Sequence, residues 1–162
     1  GGSTLLWAVL SGAVVLALLC GVHGLSRQET AARTEELSRA LGLEPILARR
    51  AGKLSGGWQR RLSIAMALIA RPEILFLDEP SAGLDPITSA GLDALIRRLA
   101  ASQGMTIVVV THELASINAI ADRAVMLDRE AKGIIATGAP AELAQHPDAR
   151  VRRFFLREAE MT

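Results

Sequence analysis

The segment Ile74-Leu75-Phe76-Leu77-Asp78-Glu79-Pro80 limits the possible folds of this chain more than any other. Four consecutive apolar residues read as a central parallel strand, buried on both faces. Two adjacent carboxylates then stand at its C-terminal end, the place where ligands bind in open α/β sheets. Setting two acids beside each other there is costly unless cations or phosphates are near. The pair therefore reads as a metal and water site. The plainer alternative, a loop with two solvated acids, is disfavoured by Pro80 and the loop after it.

Three further motifs lie around this strand in a fixed order. Leu54-Ser55-Gly56-Gly57-Trp58-Gln59 opens a helix that runs to about Ala70, before Arg71-Pro72. Ser55, Gly56 and Gly57 form its first turn in this reading. Glycines there let an anion approach free backbone amides, and the helix dipole adds attraction for negative charge. Ser81-Ala82-Gly83-Leu84-Asp85-Pro86 comes after the acids, and Asp85 is placed to cap a helix whose first position is Pro86. That helix, Ile87 to Ser102, carries Leu92, Leu95, Ile96 and Leu99 on its apolar side, with Arg97 and Arg98 toward solvent. Thr106 to Val110 reads as a second buried strand, and His112 comes two residues after it. A lone histidine is usually structural; this position singles out His112 over His23 and His146, which read as surface residues.

The flanking segments supply the frame. Ser26-Arg27-Gln28-Glu29 is a capping box, opening a helix that reaches about Leu41 and is ended by Gly42. Leu37 and Leu41 belong to its buried stripe, while Arg27, Glu29, Arg33, Glu35, Glu36 and Arg39 read as a solvated face. In the tail, Ala124 to Leu127 and Ile134 to Thr137 read as short strands about a turn at Arg129 to Gly133. Pro140 to Gln145 and Ala149 to Glu158 read as helices. Phe154 and Phe155 on the last one need a covering surface, either the domain itself or another subunit.

With 50% apolar but only 3% aromatic residues, the core must be aliphatic, which favours a sheet wrapped by helices over a β-sandwich. The net charge of +1 argues against nucleic acid as a partner. Cys20 is the one cysteine, so no internal disulfide forms and a reduced compartment is the default. Gly1 to Ser26 carries no formal charge, and Leu5 to Val22 is apolar except for Ser11, Gly12 and Gly21. Three readings stand for this stretch: a buried or partner-covered helix, a membrane span, or a signal peptide. The span lacks flanking anchors apart from Trp7, and the signal peptide lacks its basic region.

Taken in order, the four motifs resemble the C-terminal half of an ATP-binding-cassette (ABC) nucleotide-binding domain, over residues 26–162, with residues 1–25 as a separate apolar segment. The resemblance implies an α/β, P-loop NTPase-like fold: a mainly parallel sheet flanked by helices. Its phosphate-loop half is missing, for no Gly-x-x-x-x-Gly-Lys-[Ser/Thr] occurs in the chain. Gly2-Ser3-Thr4-Leu5-Leu6 looks like the tail of such a loop without its lysine. Val14 to His23, leading into Gly24-Leu25-Ser26, looks like the family's helical-subdomain segment. Only 53 residues precede Leu54, too few for the family's upstream elements. A fragment, or a product of internal deletion, is the expectation.

By this resemblance Asp78 holds Mg²⁺, Glu79 is the general base for the attacking water, and His112 contacts the terminal phosphate of ATP. Ser55, Gly56 and Gly57, supported by Gln59, press on ATP bound to the opposite subunit. Ser81, Gly83 and Asp85 belong to the D-loop, which crosses the dimer interface. The implied partners are a second nucleotide-binding subunit and a transmembrane permease, at the cytoplasmic face of the membrane. The chain alone is expected to be nearly inactive. Asp85-Pro86-Ile87-Thr88-Ser89, Ala121-Asp122-Arg123, Lys132 to Gly138 and the tail further resemble the ATPase of Mla-type (MCE-linked) lipid transporters, which implies phospholipid as cargo. Trp58-Gln59 departs from that pattern. Two rivals remain: a non-catalytic subunit that completes a partner's ATP site in trans, and a membrane-anchored protein.

Overall fold

A computed structural model describes residues 10–157. The proposed phosphate-loop tail Gly2–Leu6 lies outside the described residues. The chain divides into two compact units at Val110/Thr111. Within the first unit lie α1 (Gly12–Val22), α2 (Arg27–Leu41), α3 (Gly56–Leu68), β1 (Ile74–Asp78), α4 (Pro86–Gln103) and β2 (Thr106–Val110). Short 3₁₀ turns at Glu44–Ile46 and Ala51–Lys53 lead from α2 to α3.

The apolar start of the chain contributes a core helix. Val15, Leu16 and Cys20 of α1 are fully buried, while Val14, Leu18 and Val22 are exposed. Burial pushes the Cys20 thiol above its ordinary range, as desolvation disfavours the thiolate. No described helix is long and apolar enough to cross a membrane.

Helix α2 begins where its capping box predicts. Ser26 Oγ accepts from the Glu29 amide at 3.3 Å, and Glu29 accepts from the Ser26 amide at 2.8 Å. Gly42 ends it at φ +64°, a left-handed cap that a side chain would strain. One expectation fails here: Arg33 is buried rather than solvated. Its guanidinium donates to the Leu68 carbonyl at the end of α3 and pairs with Glu36 at 2.7 Å. That carbonyl also accepts from the Arg71 amide at 3.0 Å, and its place at the negative end of the helix dipole suits a cation.

Helices α3 and α4 supply the aliphatic core, through Leu62, Ile64 and Leu68 on one and Leu92, Leu95 and Leu99 on the other. Burying each such side chain contributes about 1.5–3 kcal/mol. Helix α3 is shorter than expected, ending at Leu68.

Strands β1 and β2 pair in parallel, from Ile74↔Thr106 to Asp78↔Val110. The expectation of strands buried on both faces is corrected. Burial alternates along both strands, with Leu75 4% exposed and Phe76 71%. In this unit only one face of the pair is covered, so Ile74, Phe76, Val108 and Val110 meet solvent.

The second unit holds α5 (Leu114–Ile120), β3 (Ala124–Asp128), β4 (Gly133–Gly138), α6 (Pro140–Leu143) and α7 (Ala149–Leu156). Strands β3 and β4 form an antiparallel hairpin with a bulge at Met126/Leu127. The described strands make one parallel pair flanked by helices, in keeping with the expected α/β fold, and one antiparallel hairpin. The alternating pattern of the hairpin suits an antiparallel pair with one wet face. Ala136, Leu143, Val151 and Phe155 form the core of this unit. Phe154 meets Phe155 edge-on, with centroids 5.2 Å apart. Helix α7 is therefore docked within its own unit, and Arg150 ties it to Asp128 of β3 at 3.2 Å. Asp148 caps α7; the Arg150 side chain bonded to it lowers its carboxyl pKa to about 2.

Candidate functional site

Asp78 is the last residue of β1 and is exposed, without an ion pair among the described residues. Glu79 comes next in a left-handed backbone conformation, φ +43°, which is uncommon for a residue with a side chain. It is held there from both sides: its amide donates to Val110 O of β2 at 2.8 Å, and its carbonyl accepts from Ala82 at 3.1 Å. Such strained positions cluster at functional sites, because surrounding structure must over-determine them.

The loop after Glu79 is tightly wound. Pro80 and Ser81 are buried, and Leu84 N donates to Ser81 O at 3.0 Å. Gly83 has φ +75°, a geometry that glycine adopts without strain. The Ser81 hydroxyl is buried and finds no hydrogen-bond partner among the described residues. Asp85 caps α4 as the sequence predicts, accepting from the amides of Ile87 at 3.1 Å and Thr88 at 3.0 Å. It also accepts from the Thr88 hydroxyl. That hydroxyl bond, with those of the amides after it, holds the Asp85 carboxyl below its ordinary range.

At the start of α3, Ser55 is the N-cap residue rather than part of the first turn, and Gly56 is the first helical position. The Ser55 side chain makes no capping bond to its own helix. The amides of Gly56, Gly57 and Trp58 accordingly have no side-chain acceptor among the described residues. Gly57 is buried and Gly56 exposed. Gln59 was expected to support an anion here. Its side-chain amide donates to Leu54 O at 3.0 Å, a bond that braces the loop. Trp58 lies under the Arg61 guanidinium, 5.1 Å from the ring centroid, a contact that no motif in the sequence signals.

The first unit brings two of the motifs into contact. A Cβ built on Gly56 would lie 3.1 Å from Leu84, and one built on Gly57 would lie 2.5 Å from Thr88. The Ser55–Gly57 turn and the Ser81–Asp85 loop are therefore neighbours within this chain. His112 belongs to the second unit, where it is exposed and lines an open cleft of about 570 Å³ with Glu113, Leu114, Arg153, Phe154 and Arg157.

Among the described residues no group of three His, Cys, Asp or Glu side chains could hold a metal ion. That suits Mg²⁺, which usually rests on one or two carboxylates, substrate phosphates and water rather than on a protein cage. Asp78, exposed at the strand end, fits such a role. For a nucleotide, the amides at the start of α3 suit the phosphates.

A protein-family model described as ABC transporter matches residues 8–82. The likeness to that family covers a little under half of the chain. The methionine import ATP-binding protein MetN of Xanthomonas campestris pv. campestris (strain 8004) is 39% identical over 137 residues, 85% of this chain and 40% of that protein. MetN of Caulobacter vibrioides is 37% identical over 155 residues, 94% of this chain and 46% of the relative. A probable amino-acid ABC transporter ATP-binding protein, y4tH of Sinorhizobium fredii, is 40% identical over 137 residues, 84% of this chain and 52% of the relative. The chain thus spans about half the length of these relatives or less. All three are named as ATP-binding proteins, the last as one of an ABC transporter. Their names speak of methionine and amino acids, whereas the Mla-type resemblance implies phospholipid.

Proposed function

We propose that this chain is part of the ATP-hydrolysing subunit of an ABC transporter, acting as a dimer on a permease at the cytoplasmic face of a membrane. The observation that carries the reading is the start of α3: a serine and two glycines with their helical amides left uncapped, packed beside the Ser81–Asp85 loop. Amides held this way suit the terminal phosphate of a nucleotide bound to the opposite subunit. Asp78 would hold the Mg²⁺, which would neutralise phosphate charge. Glu79 would accept the proton of the attacking water, from a left-handed backbone held by hydrogen bonds on both sides. His112 would orient that water against the phosphate. Asp85 and Gly83 would shape the loop that meets the second subunit. The relatives' names favour an amino acid such as methionine as cargo, while phospholipid has only the tail and loop likeness behind it.

A chain of these 162 residues carries no phosphate loop. Titrated with Mg-ATP by calorimetry it should bind no tighter than millimolar, since affinity in this class comes chiefly from that loop's amides and lysine. Micromolar binding would show that nucleotide affinity in this chain does not depend on that loop. The uncapped Ser55–Gly57 turn also suits a second reading, in which it completes a partner's site in trans. Adding the chain to a subunit that has a phosphate loop should then raise ATPase activity.

A further inference from the structure

The contact between Gly57 and Thr88 has the geometry of a set screw. Thr88 is β-branched, and its hydroxyl and amide both donate to the Asp85 carboxylate. Those bonds fix χ1 and turn the γ-methyl toward Gly57, where a Cβ would stand only 2.5 Å from it. At Gly56 the corresponding neighbour is the far end of Leu84, at 3.1 Å, and a leucine tip can move aside. Gly57 is therefore constrained by packing in a way that Gly56 is not.

We propose that Thr88 is a positioning residue: oriented by Asp85, its methyl sets where the Ser55–Gly57 turn sits, so the loop before α4 and the amides of α3 move as one piece. A change in the Asp85 carboxylate, by contact with a second subunit or by substitution, is then transmitted to those amides through a single side chain. The consequence for turnover rests on the reading of this turn as a phosphate contact. The coupling itself does not, and it is tested without nucleotide.

The experiment uses the full 162-residue chain. Gly57→Ala should lower the melting temperature by about 3–10 °C, the range expected for overpacking a chain of this size. Gly56→Ala should not. Thr88→Ser removes the γ-methyl but keeps the hydroxyl; alone it should lower the melting temperature slightly. In the Gly57→Ala background it should raise it, because the clashing atom is gone. Additive losses from the two substitutions would overturn the proposal. Should Gly57→Ala prevent folding, Thr88→Val provides an independent arm, since it keeps the volume and removes the hydroxyl bond to Asp85. Amide NMR resonances of Ser55, Gly56 and Gly57 should then shift while those at Ser26–Glu29 stay in place. Unmoved resonances at Ser55–Gly57 would show that Asp85 does not set the turn, and the proposal would fail.

Discussion

Helices α2 and α3 both start at a serine with nearly the same extended backbone, φ −63° and ψ 165° at Ser26, φ −65° and ψ 160° at Ser55. They differ in their first turns. Three residues after Ser26 stands Glu29, and the two close a reciprocal box. Three residues after Ser55 stands Trp58, with two glycines between, and no capping bond forms. The first start satisfies its amides with its own side chains and gains stability. The second leaves its amides to be satisfied by something else. A helix start that forgoes its cap gives up stability in exchange for a binding surface.

The largest effect comes from separating that surface from the chemistry beside it. In a subunit that carries this chain behind a phosphate loop, Glu79→Gln should lower ATP turnover at least ~10²-fold by removing the general base. ATP binding and the ATP-bound dimer should persist, because assembly uses the amides at Ser55–Gly57. Asp78→Asn should instead weaken Mg²⁺-dependent binding. Steady-state hydrolysis and equilibrium binding, measured on both variants, distinguish these roles; turnover near the unmodified rate in Glu79→Gln would remove Glu79 from the mechanism.

A second substitution turns one start into the other. Trp58→Glu gives α3 the Ser-x-x-Glu box of α2. In the same longer subunit the new carboxylate would take the Ser55 amide and the Ser55 hydroxyl the amide at position 58; losing that N3 donor should cut turnover on the order of 10²-fold, as when one oxyanion donor is removed. The isolated chain should gain up to about 1 kcal/mol of stability from the new cap, reduced by loss of the Arg61 contact. Unchanged turnover alongside a formed box would mean that these amides serve no anion.

Smaller effects measure the caps themselves. Ser26→Ala should cost about 1 kcal/mol in a urea titration, as losing a working N-cap does, while Ser55→Ala should cost far less. Equal costs would erase the contrast. The smallest effect is on pH. Hydrogen bonds from Ser26, first its side chain and then its amide, lower the Glu29 carboxyl below its ordinary value. A depressed folded-state pKa means that this stabilisation is present above the unfolded value and is lost as pH falls through the folded one. An NMR titration should find Glu29 protonating below the ordinary carboxylate range, with the Ser26 amide shifting in step. The amides of Ser55–Gly57, which have no acid in their turn, should show no such step.

Local rules were readable in the chain because local groups enforce them. The box at Ser26–Glu29, the left-handed stop at Gly42, the Asp85-Pro86 start and the strands at Ile74 and Thr106 all appear where propensity and pattern place them. The ends of α3 and of the two tail helices differ by a few residues, as fraying ends do. What failed depended on distant partners: Arg33 reads as a solvated charge until the end of α3, 35 residues on, arrives at its guanidinium. Phe76 reads as core because nothing in a run of four apolar residues says how many faces will be covered.

Sequence alone settled which motifs the chain carries and in what order, since residue identity and spacing need no fold to be read. It also settled that a phosphate loop is absent from these 162 residues. Tertiary structure decided which polar groups remain available. Two serines with nearly the same backbone took opposite roles: Ser26 closes a box with Glu29, whereas the Ser55 side chain makes no bond to its own helix. The neighbour of Gly57 proved to be a threonine 31 positions along the chain, held in place by Asp85. A backbone amide is a donor in every sequence; whether it is still free to bind depends on which acceptors the fold brings to it.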